Sequence, residues 1–84
     1  MWTANNELRQ RVQRWLTSGA LFPAPRTSWA GDGSGKLCAV CSSTVHAHEV
    51  EYEVLGGVNG TVVAHRLCYV IWQEESEAAS TRNA

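Results

Sequence analysis

Cys38-x-x-Cys41 and, twenty-three residues further on, His65-x-x-Cys68 are the residues of this chain whose types and spacing could do chemistry. Three sulfurs and one imidazole nitrogen, grouped two and two, form the donor set of a four-coordinate zinc site. A two-residue gap lets both sulfurs of one turn converge on an ion. Two ligands three apart at the start of a helix project from adjacent points of its first turn toward the same ion. Zinc imposes no geometry of its own and accepts tetrahedral closure, and a single histidine without redox context favours it over iron. The spacing therefore predicts one Zn2+ per chain on Cys38, Cys41, His65 and Cys68. His46 and His48 lie a few residues past Cys41 and are alternative ligands, or groups that hydrogen-bond to a thiolate or pair with a strand glutamate.

Other chemistries fit these residues less well. Buried cysteines acting as small hydrophobes need no paired spacing. A thiol–disulfide switch at Cys38 and Cys41 belongs after a strand in a βαβ unit, which the sequence does not contain. A catalytic zinc keeps one position open for water, whereas four protein donors close the site. His46-Ala47-His48 has no acid where a zinc deaminase needs one, and its cysteine pair comes first rather than last. His48-Glu49 is not followed by the second histidine of a zincin. Gly31-Asp32-Gly33-Ser34-Gly35-Lys36 resembles a phosphate loop only in part, because Ala30 and Leu37 stand where a glycine and a hydroxyl residue are required. These comparisons predict that the chain is not an enzyme and takes no small-molecule substrate.

With 84 residues, 44% hydrophobic and 18% charged, there is room for one soluble domain, and a core this small ordinarily needs a metal, a disulfide or a partner to hold it. An odd number of cysteines cannot pair off completely. The N-terminal residues carry Glu7, Arg9 and Arg11 where a secretory signal would be apolar, so a reducing, cytoplasmic setting and no membrane association are expected. The net charge of −1 hides an asymmetry. Arg9, Arg11, Arg14, Arg26 and Lys36 make residues 1–36 basic, while Glu49, Glu51, Glu53, Glu74, Glu75 and Glu77 make the remainder acidic. No long-range cationic field of the kind used by non-specific nucleic-acid binders results.

Several elements must position the four donors. Leu8, Val12, Trp15 and Leu16 recur at helical spacing, which predicts a helix over 5–18 with Thr3 or Asn5 near its cap, Gly19 past its end and Arg11 and Arg14 on a solvated flank. Residues 19–37 hold Pro23, Pro25 and four glycines and read as a connector without a strand, pinned to the core by Leu21, Phe22 and Trp29. Val50, Tyr52 and Val54 alternate with Glu49, Glu51 and Glu53, which predicts a half-buried strand with an acidic, solvated outer face. Asn59-Gly60 predicts a two-residue hairpin turn, with Val58 opposite Thr61 and Val54 opposite His65 unless Gly56-Gly57 forms a bulge. That register puts His65 on the core side with Val54 and Val63. Leu67 to about Ala78 reads as a helix buried nearly all round at its start, and residues 79–84 as a frayed tail.

A cysteine knuckle, a β-hairpin and a helix carrying the second ligand pair resemble the treble-clef zinc finger over residues 38–78. The Cys-x-x-Cys and His-x-x-Cys pairs are similar to the first zinc module of LIM-type domains. The whole chain, with its N-terminal helix and Trp29-Ala30-Gly31-Asp32-Gly33 linker, resembles a group of short bacterial zinc-finger proteins. The family often has glycine in a left-handed conformation after the second knuckle cysteine; Ser42 stands there, which costs roughly 1–2 kcal/mol and reshapes the knuckle. The resemblance implies an α+β fold, a structural zinc and a protein-interaction role. The rival reading is a nucleic-acid-binding finger using Arg9, Arg11, Arg14, Arg26 and Lys36, with Trp29 as a stacking group.

Overall fold

Leu8, Val12, Trp15 and Leu16 lie on one side of the first helix in the computed structural model, which describes residues 2–25, 28–58 and 60–83, with side chains described within 6–79. This helix, α1 (Trp2–Ser18), buries Val12 completely and packs the other three against the core. It starts at Trp2, so Thr3 and Asn5 lie inside it rather than at its cap. Gly19, at φ 84°, turns the chain out of the helix, and the Leu21 amide then donates to the Trp15 carbonyl at 3.1 Å. Arg9 pairs with Glu74 at 2.7 Å and Glu75 at 3.2 Å, and Gln13 donates to Glu75 at 2.8 Å. These three contacts join α1 to the second helix, α2 (Arg66–Asn83).

Between the helices lies a three-stranded antiparallel sheet in the order β1 (Trp29–Asp32), β2 (Val50–Gly57), β3 (Gly60–His65), completing an α+β fold. β1 lies in the segment expected to be a connector. All four of its residues are exposed, so no buried periodicity announces it; its pairing with the edge of β2, Trp29 opposite Glu53 and Asp32 opposite Val50, makes it a strand. The hairpin takes the bulged alternative at Gly56-Gly57 rather than the regular register. Gly57 pairs with Gly60, a bulge falls between Leu55 and Gly57, and beyond it Val54 faces Val62 and Glu51 faces His65. Asn59 is outside the described residues. The offset from the expected pairing is odd, so His65 shares a face with Glu51 and Val63 and is opposite to Val54.

Gly56 explains the bulge. A Cβ there would stand 2.5 Å from Cη2 and 2.6 Å from Cζ2 of Trp72, so the indole packs directly on the strand backbone. Trp72 is fully buried, and its indole N–H donates to the Phe22 carbonyl at 2.9 Å. Tyr69 donates to the Pro25 carbonyl at 2.6 Å, and the Ala24 amide donates to Ser76 at 2.9 Å. Residues 21–25 are thus strapped to α2 through their backbone. Leu21 is buried, whereas Phe22 and Trp29 are exposed, because the strap is held by hydrogen bonds and does not need those rings as anchors.

α2 buries the stripe Cys68, Tyr69, Ile71, Trp72, Glu75 and Ser76, and leaves Leu67 and Val70 exposed, so its start is buried on one side only. It continues to Asn83 through the expected tail; Ala78 and Ala79 favour helix and no glycine or proline interrupts it. Glu51, expected in solvent, is only 5% exposed. The glycine-rich segment folds over it, and Ser34 donates to its carboxylate from the hydroxyl at 2.6 Å and from the amide at 2.9 Å.

The close approach of Trp72 makes Gly56 the more sensitive of two sheet glycines. Gly56→Ala should destabilise the fold by about 1–3 kcal/mol, the usual range for overpacking. Gly31→Ala, where an added Cβ meets nothing within 4 Å, should leave the melting temperature unchanged. Thermal denaturation of the two variants beside the parent measures the difference.

Candidate metal centre

Cys38 and Cys41 lie in a tight turn between the glycine-rich segment and β2. The Ser42 amide donates to the Cys38 carbonyl at 3.0 Å and the Cys38 amide to the Ser43 carbonyl at 2.8 Å, closing the turn in both directions. Leu37 and Thr44 form a bridge at its base. Ser42 has φ 65°, the left-handed conformation expected of the position after the second cysteine, and serine adopts it without a glycine. The Val40 amide points at the Cys38 sulfur at 3.4 Å. Two contacts fix the turn against the rest of the molecule: the Ala39 amide donates to the Val63 carbonyl at 2.8 Å, and the Arg11 guanidinium to the Val40 carbonyl at 3.2 Å.

His65 ends β3 and Cys68 lies in the first turn of α2, so the strand-to-helix junction delivers the second pair. The ligand atoms of Cys38, Cys41, His65 and Cys68 all lie within 4.8 Å of one another. A tetrahedral ion with sulfurs at about 2.3 Å would hold them about 3.8 Å apart, so the group is near enough to bind a metal with a small contraction. Cys38 and Cys68 are buried and Cys41 and His65 half-buried, and none of the cysteines forms a disulfide.

The electrostatics suit a divalent ion. The Cys38 thiol is drawn down to about 4, first by a hydrogen bond from Cys68, against the opposing effect of burial, and then by the amides of Cys41, His65 and Val40. Cys68 is pushed up by its bond to Cys38, by burial and by the negative charge of the other sulfurs. Like charge thus crowds the sulfurs, a repulsion that a cation at their centre would relieve. His65 is lowered by burial, but its hydrogen bond to Cys38, that sulfur's charge and Glu49 more than offset this and raise it overall.

The other singled-out residues are scattered. His46 and His48 are exposed and their rings stack in parallel at 5.7 Å, apart from the four-ligand group. Arg9 is bound to Glu74 and Glu75. Arg11, expected on a solvated flank, reaches the knuckle and lies 5.8 Å from the Trp15 ring centre, because the Val40 carbonyl offers a near acceptor to a long side chain. Arg14, Trp29 and Lys36 are exposed, and Arg26 is outside the described residues. The sequence offers Glu49 as part of an acidic stripe and as the acid of an incomplete zincin motif, not as a neighbour of His65. The structure places its carboxylate 3.3 Å from His65 Nε2. The pairing of Glu51 with His65 is the signal that would have found it; the glycine pair marks the bulge in the sequence but not the register beyond it.

No protein-family model, curated protein or solved structure gives a significant match to the chain. Among the described residues, no helix is long and apolar enough to cross a membrane.

The left-handed Ser42 yields a direct test. Ser42→Gly removes a steric cost of about 1–2 kcal/mol and gives back about 0.5–1 kcal/mol of backbone entropy. The variant should therefore melt a few degrees higher than the parent, measured by circular dichroism at matched metal content.

Proposed function

We propose that this chain is a structural zinc module of treble-clef type, LIM-like in its two ligand pairs, that serves protein–protein interaction. The observation that carries the reading is the convergence of Cys38, Cys41, His65 and Cys68, with all ligand atoms within 4.8 Å. Knuckle, hairpin and helix follow in treble-clef order. Zinc suits three sulfurs and one nitrogen. Four protein donors leave no position open for a reacting water, so the metal serves the fold and the chain is not an enzyme. Three unpaired thiols fit a reducing, cytoplasmic setting.

The interaction role draws support from the surface. Trp29 and Leu37 are large apolar groups that are each 64% exposed. Leu37, Lys36, Glu53 and Thr61 line an open groove of about 570 Å³ between the knuckle and the hairpin. Trp29 pairs with Glu53 and so stands on the same face of the sheet. The nucleic-acid reading loses two of its cations, because Arg9 is committed to glutamates and Arg11 to a backbone carbonyl.

Native mass spectrometry with elemental analysis should find one zinc per chain. Chelation, or alanine at any of the four ligands, should remove the metal and unfold the protein, since zinc contributes on the order of 10–16 kcal/mol in small fingers. A metal-free protein that keeps a cooperative melt would overturn the reading. Oligonucleotide binding at low salt that weakens steeply with ionic strength would move the function to nucleic acid.

A further inference from the structure

Glu49 stands just ahead of β2, and its Oε1 is 3.3 Å from His65 Nε2, while His65 Nδ1 faces the Cys41 sulfur at 3.4 Å. The two ring nitrogens therefore have different surroundings, sulfur on one side and carboxylate on the other. Glu49 itself is fixed. Oε1 also accepts the His46 amide at 2.8 Å, the Glu49 amide donates to the His46 carbonyl at 2.9 Å, and the Glu49 carbonyl accepts the Gly33 amide at 2.9 Å. A carboxylate held at its own backbone from two sides can hold an imidazole in one orientation, because little side-chain freedom remains to be lost when the bond forms.

We propose that Glu49 is a positioning residue of the metal centre: by accepting the Nε2 proton of His65 it commits Nδ1 to the ion. This rests on the reading of the chain as a zinc module. Glu49 touches no metal. It fixes which nitrogen is free to bind, holds the ring plane toward the sulfurs and raises the basicity of the bound nitrogen. His46 contributes only its backbone to this arrangement, and its ring remains in solvent.

The test uses the whole chain loaded with a spin-active cadmium isotope in place of zinc and with nitrogen-labelled histidine. Magnetic resonance should show cadmium coupled to Nδ1 of His65 and a slowly exchanging proton on Nε2. In zinc competition against a chromophoric chelator, Glu49→Ala should bind at least about 10-fold more weakly. Glu49→Gln, whose amide oxygen still accepts from Nε2, should recover most of that loss. Coupling through Nε2, or parental zinc affinity and proton exchange in Glu49→Ala, would overturn the assignment. If the alanine variant does not fold, the coupling in the parent and the affinity of Glu49→Gln decide, with a loss in the glutamine variant as large as removal of a ligand counting against the proposal. A parent chain that takes up no metal would instead refute the zinc module itself.

Discussion

The contact between the knuckle and β3 sets the terms for the rest of the molecule. Two ligands come from a turn and two from a strand-to-helix junction, and they form one site only if the turn is held over the end of the hairpin. The Ala39 amide does this at the Val63 carbonyl, next to the ligand pair on each side. Arg11 ties the same turn to α1 through Val40, and Val40 is itself fully buried. The candidate metal site, the helix pair and the sheet are therefore parts of one packing problem. Loss of any ligand would leave buried sulfurs that the apolar core around Val12, Val45 and Ile71 does not replace.

Burial divides the sheet unequally. One face carries Val54, Tyr52 and Ala64 against α2, where Tyr52 and Tyr69 pack at 5.3 Å between ring centres. The other carries Glu51, Val63 and His65 beneath the knuckle and the glycine-rich segment. A sheet covered on both sides tolerates a polar residue only with its bonds made, and Glu51 meets that condition through Ser34. The alternation that suggests a solvated acidic strand cannot register this, because the covering segment is distant in sequence.

The two ligand pairs and the helical face of α1 were legible from spacing, which follows local rules, whereas the α+β class and the left-handed position at Ser42 came with the family resemblance. Failures came where an element owes its form to a neighbour. β1 has no apolar pattern because the edge of β2 makes it a strand. The hairpin register depends on Gly56 yielding to Trp72, a contact between residues far apart in the chain. The same displacement hid Glu49, whose relation to His65 exists only in the true register. Trp29 was misplaced because a backbone strap had taken over the anchoring that an aromatic ring would supply.

The glycine-rich segment, which invites comparison with a phosphate loop, has a different physical task here. Gly33 and Gly35 donate their amides to Glu49 and Val45 at 2.9 and 3.0 Å, and the Val45 amide returns a bond to Lys36 at 2.8 Å. A Cβ on Gly33 would run into the His46 carbonyl, so only glycine lets the two backbones meet there. Gly35 supplies the positive φ, 83°, that turns the chain toward the knuckle. Of the amides that would have to cradle an anion, those of Gly33 and Gly35 are already spent on the chain's own carbonyls and that of Ser34 on the Glu51 carboxylate. What they hold is the turn that carries Glu49, so the glycines act on the metal centre at one remove: backbone closeness fixes the turn, the turn fixes a carboxylate, and the carboxylate faces the imidazole.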